Sequence, residues 1–147
     1  MNNVETLEKL LKNELSATET YQQALDKFKA DVGLNQAMCL TPIYQEHKDA
    51  VTSLQSQIRE LGGTPAEDSG AWGSWAEMVL GGATLLGKES VLKALLEGEK
   101  NGAEDYEEAL QDAQLSSDPR ALIKSRLLPA QHAHIRALDR LLDTDAA

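Results

Sequence analysis

Residues 14–25 read Glu14-Leu15-Ser16-Ala17-Thr18-Glu19-Thr20-Tyr21-Gln22-Gln23-Ala24-Leu25, and residues 99–110 read Glu99-Lys100-Asn101-Gly102-Ala103-Glu104-Asp105-Tyr106-Glu107-Glu108-Ala109-Leu110. Both follow the pattern E-x4-E-x-Y-x2-A-L, at an offset of 85 residues. The same offset carries Glu46, His47 and Asp49 onto Gln131, His132 and His134. Self-similarity at a fixed spacing marks a repeated structural unit. The chain therefore reads as two diverged copies of one hairpin, related by a pseudo-twofold axis.

Working outward from these stretches, the apolar period is helical. Leu7, Leu10/Leu11, Glu14, Thr18, Tyr21, Leu25 and Phe28 fall on one helix face, which predicts helix 1 over residues 3–30 with Gly33 as its stop. His47, Val51, Leu54, Ile58 and Leu61 form the stripe of helix 2, over 35–61, with Pro42 set to kink it or to mark a late start. Gly62-Gly63-Thr64-Pro65 ends it. Leu92, Leu95/Leu96, Glu99, Ala103, Tyr106 and Leu110 give helix 3, over 89–114. Asp118 as N-cap and Pro119 in the first turn start helix 4, over 119–143, with Leu128, His132, Ile135, Leu138 and Leu142 inward, a bend at Pro129 and fraying beyond Asp143. No alternating β-pattern is present. Residues 62–88 are too long for a plain loop and read as a crossover with a short helix at 71–84. Trp72 and Trp75 on it either seal the bundle or, exposed, mark a homodimer interface. Two short hairpins joined by one long crossover make a single all-α domain, residues 1–147, with ferritin-like four-helix-bundle connectivity.

Composition bounds the function. The 147 residues hold 14 Lys+Arg against 24 Asp+Glu, a formal charge of −10. That balance disfavours nucleic acid, whose binding rests on cationic side chains. No apolar run is long enough to span a membrane. The N-terminus has no secretory pattern, so the expected compartment is the cytoplasm. Cys39 has no disulfide partner and reads as a small buried hydrophobe. No nucleophilic triad order or phosphate loop occurs.

The chemistry lies in the stripes themselves. Glu14 and Glu99 interrupt apolar faces, each seven residues before a tyrosine. A carboxylate there is costly unless paired, protonated or bound to metal. Helices 2 and 4 add Glu46 with Asp49 and Gln131 with His134, each pair three residues apart and so on one face. His47 and His132 are the alternatives if the helices are rotated.

These residues resemble the ferritin-like superfamily, whose di-iron members take one Glu from each of two helices and Glu-x-x-His from each of the other two. Leu61-Gly62-Gly63-Thr64-Pro65, Asp68-Ser69-Gly70 and the Gly98-Glu99 to Leu110 stretch are similar to a bacterial ferritin-like family of unknown function. The resemblance implies iron or another divalent metal held by Glu14, Glu46, Asp49, Glu99, Gln131 and His134. A redox-active centre of that kind would activate dioxygen or peroxide. Asp49 stands where the pattern has His, and Gln131 where it has Glu. The other reading is a non-enzymatic, stress-associated bundle that self-associates or binds a partner and has a metal-free polar core, its tyrosines hydrogen-bonded to carboxylates.

Overall fold

The computed structural model describes residues 2–31, 34–69 and 87–146. Helix α1 spans Asn3–Asp31, α2 Leu34–Glu60 and α3 Lys88–Gln111. Helix α4, Ser117–Leu122, runs through a π-helical stretch, Ile123–Leu127, into α5, Leu128–Ala146. Backbone angles stay right-handed helical at Ile123 and Leu128, so these three pieces make one rod, the fourth of the bundle. There is no β-strand among the described residues. No described helix is long and apolar enough to cross a membrane. The crossover helix at 71–84, Trp72, Trp75, Gly33 and the Phe28 side chain lie outside the described residues.

Several local expectations need correcting. Helix α2 begins at Leu34, so Pro42 sits inside it and marks no late start. Cys39 is exposed, not buried, because the inward positions beside it are Leu40 and Ile43. The N-cap after α3 is Ser116 rather than Asp118. Its hydroxyl is used across the bundle, accepting from Asn3 Nδ2 at 2.7 Å. The fourth rod stays helical to Ala146. At Pro129, which lacks an N–H, the helix is prepared one turn early. The Leu128 N–H reaches back to the Ile123 carbonyl, a wider π-type turn.

Helix α2 stops as its sequence dictates. Gly62 has φ +87°, a left-handed conformation that a Cβ would penalise. The Gly62 N–H donates to Arg59 O and the Gly63 N–H to Ile58 O at 2.9 Å, the bond pair of a Schellman C-cap. The chain then returns over α1, where the Ala66 N–H donates to Glu8 and the Ser69 N–H and hydroxyl donate to Glu19. Beyond α3, the Arg120 guanidinium donates to the carbonyls of Leu110, Asp112 and Leu115 and locks the second hairpin's turn.

The apolar core is in two parts. One end of the bundle packs Leu25, Leu40, Ile43, Leu92, Leu95 and Leu138. The other packs Leu7, Leu11, Leu54, Ile58, Ile123 and Leu127. Along every rod the residues between these two sets are polar and buried: Glu14, His47, Glu99, and Gln131 with His134. The fold thus places one polar layer across the bundle, sealed by hydrocarbon above and below.

Candidate metal centre

Each rod brings its own part of the layer. Glu14 lies in the α1 stripe between Leu11 and Tyr21, and Glu99 in the α3 stripe between Leu95 and Tyr106. His47 follows Ile43 by one helical turn on the buried face of α2. Gln131 and His134 continue the face set by Ile123 and Leu127. Glu14, His47, Glu99, Gln131 and His134 are all at most 4% exposed.

His47 occupies the centre. Its Nδ1 lies 2.5 Å from Glu14 Oε2 and its Nε2 2.7 Å from Glu99 Oε1. Either nitrogen without a proton would set a lone pair against carboxylate lone pairs, so the ring donates from both sides as an imidazolium. Burial by itself would push His47 toward its neutral form. The carboxylates of Glu99 and Glu14 outweigh that and hold it well above the ordinary histidine range. Glu99 shows the complement: burial would raise its carboxyl, but His47 and His134 hold it below the usual range.

The network extends from there in both directions. His134 Nδ1 lies 2.9 Å from Glu99 Oε1, and its Nε2 lies 2.8 Å from Glu46 Oε2. The Gln131 amide donates to Glu99 O at 3.0 Å and to Glu99 Oε2 at 3.2 Å. The Tyr106 hydroxyl donates to Glu14 Oε1 at 2.5 Å. The Tyr21 ring stacks on His47, with centroids 5.2 Å apart. Burial first, then Glu99 and Glu14, raise the Tyr21 phenol well above its usual value, and burial and Glu14 do the same for Tyr106, so both stay protonated.

Of the six residues expected from the sequence, the fold brings Glu14, Glu99, Gln131 and His134 into the layer. Glu46 reaches it from the rim, with its side chain 51% exposed. Asp49 is exposed, on the wall of a surface cavity of about 220 Å³ that also touches Glu46, Arg126 and Ala130. The two alternative histidines part company: His47 is central, whereas His132, expected inward, is 45% exposed beside Glu107. The signal for His47 was its place in the α2 apolar stripe. Gly102 was not singled out by sequence reasoning. A Cβ there would collide with the Gln131 amide nitrogen, so its part shows only when α3 and α5 are packed together.

The donor set fits a divalent cation. One donor atom from each of His47, Glu99 and His134 lies within 4.8 Å of the others. Donors around one metal at about 2.0–2.3 Å can be no more than about 4.6 Å apart, so small side-chain shifts suffice. A void of about 10 Å³, close to the size of one water, borders Glu14, His47, Tyr106 and Gln131. The cation would replace protons now shared between imidazoles and carboxylates.

Comparison with known proteins agrees with this architecture. A solved structure described as a ferritin-like, diiron-carboxylate protein from Bacillus anthracis str. Ames aligns with a TM-score of 0.67 over 97% of this chain and 99% of that one. At 18% identity the match speaks to the fold alone. No curated protein matches the chain. The family model described as "Domain of unknown function (DUF2383)" matches residues 2–112, three of the four rods. On that match this chain belongs to the DUF2383 family, built here as a ferritin-like four-helix bundle.

Proposed function

We propose that this protein binds a divalent metal, iron or a similar ion, in its polar layer, with Glu14, Glu99, His47 and His134 as ligands and Glu46 at the rim. The observation that supports it most is the convergence of His47, Glu99 and His134 donor atoms in a fully buried setting. Buried carboxylates at this density are rare without a cation to offset them. The diiron-carboxylate description of the structural neighbour points the same way. Asp49 and Gln131, which the sequence pattern placed among the ligands, have other duties here: one faces solvent and the other donates to Glu99.

Bound there, a cation supplies Lewis acidity, and iron would add redox capacity. The chain's own residues do the rest. Loading requires His47 to release a proton, since the metal needs a ring lone pair. His134 links the buried layer to Glu46, the member that meets solvent. Tyr106 holds Glu14 Oε1 in place. The apolar sets above and below exclude water.

Elemental mass spectrometry tests this on protein purified without chelators and again after incubation with ferrous iron in air. Stoichiometric metal that is lost in Glu99→Gln is the expected result. Metal unchanged in that variant would remove Glu99 from the site. One observation favours a second reading, a metal-free layer that holds the helices in register. Each ring nitrogen of His47 and His134 already has a carboxylate partner. No metal under either condition would select that reading.

A further inference from the structure

The superfamily pattern has room for two cations and supplies four carboxylates and two imidazoles. The layer seen here differs most at Gln131. Its amide is 3% exposed and lies against Glu99, donating to both the main-chain oxygen and Oε2. The other carboxylate oxygen, Oε1, faces His47 and His134. Glu99 therefore shares Oε1 between the two imidazoles, while its Oε2 takes the Gln131 N–H and lies 3.1 Å from His47 Nε2. The amide has room because residue 102 is glycine. A Cβ at that position would collide with the Gln131 amide nitrogen. Glycine inside a helix is a cost relative to alanine, and the matching position 85 residues earlier is Ala17, which is buried.

We propose that Gln131, admitted by Gly102, restricts this centre to a single divalent cation. The charge of the layer agrees. Two fully buried carboxylates, Glu14 and Glu99, balance one dication; of the other acidic side chains expected here, Glu46 is half-exposed at the rim and Asp49 is on the surface. The amide's N–H end also presents positive charge to Glu99 Oε2. Gln131 is a specificity-determining neighbour of the ligands rather than a ligand. This inference rests on the metal-binding reading above.

The test is a titration of chelator-stripped protein with Mn2+, reading bound equivalents after desalting and the electron paramagnetic resonance spectrum. Wild type should saturate at one equivalent, with the six-line spectrum of isolated ions even in excess metal. Gln131→Glu should take up a second equivalent and show a spin-coupled pair. Two equivalents or a coupled spectrum in wild type would overturn the inference, as would one equivalent in both proteins. The last result leaves the metal-binding reading standing; no Mn2+ on wild type overturns the inference, and the ferrous-iron incubation then decides the metal-binding reading separately. Should the added carboxylate prevent folding of Gln131→Glu, the wild-type spectrum decides alone.

Discussion

The two hairpins began from one pattern and use it differently. Between α1 and α3 the buried positions keep the 85-residue offset: Glu14 with Glu99, Tyr21 with Tyr106, Ala24 with Ala109. Between α2 and the fourth rod the buried faces are 84 apart: His47 with Gln131, Ala50 with His134, Leu54 with Leu138. The π-helical stretch changes this offset by one, from 83 at Leu40 and Ile123 to 84 at Ile43 and Leu127. The three-residue step from Leu40 to Ile43 is answered by the four-residue step from Ile123 to Leu127. A π turn absorbs one extra residue and rotates everything after it relative to a regular helix. In the register that follows it, His132 faces out and Gln131 and His134 face in. The first hairpin therefore brings one imidazole between two carboxylates, and the second brings an amide and an imidazole against the same Glu99.

This asymmetry can be broken experimentally, beginning with the carboxylates. Glu99 serves His47, His134 and Gln131, whereas Glu14 serves His47 and Tyr106. Glu99→Ala is expected to destabilise the chelator-treated protein by about 3–5 kcal/mol, because it strands buried donors. Urea unfolding should show Glu14→Ala costing less; equal costs would mean that the hairpins contribute equivalently.

The pH dependence of the chelator-treated protein comes next. His47, facing Glu14, Glu99, Tyr21 and His134, titrates above its ordinary value. Its contribution to stability is full below the unfolded value of about 6.5 and fades as pH rises through the raised folded value. Glu99 titrates below its ordinary value, so its contribution is full above about 4.3 and fades as pH falls through the lowered folded value. Stability should peak between those two values and decline toward alkaline pH, and His47→Gln should flatten the alkaline limb. An apo protein that grows more stable from neutral to alkaline pH would contradict the imidazolium bridge.

Tyr106 reaches from the second hairpin to the first hairpin's carboxylate. Removing that hydroxyl in Tyr106→Phe should cost about 1.5–3 kcal/mol, the range for a hydrogen bond to a charged group. A melting curve that matches wild type would mean that Glu14 finds another donor. The smallest effect belongs to the residues left outside the polar layer. His132→Ala and Asp49→Ala should each stay within about 0.5 kcal/mol and leave metal content unchanged. Loss of metal in His132→Ala would restore the 85-residue register across the whole molecule.

Much of this architecture is legible in the chain. Four rods and the buried pair Glu14 and Glu99 follow from apolar spacing and from a carboxylate placed where a leucine would serve. The stripe on α2 even contained His47. The fourth rod was harder because Leu128, His132 and Ile135 make a plausible helical face, one residue away from Leu127, Gln131 and His134. Period alone does not separate two adjacent faces when both carry apolar residues. Cys39 failed for a similar reason: small apolar type predicts burial on average, but its neighbour Leu40 took the inward position.

The sequence by itself determined that this chain folds as two helical hairpins around carboxylates that need a partner. Helical periodicity and the free energy of burying charge are properties of local pattern and residue type. Only the tertiary structure decided which histidine lies between those carboxylates. That choice depends on helix rotation, on the π turn ahead of Pro129, and on the space left by Gly102 for an amide from another rod. Each of these is a relation between helices, invisible until they are packed.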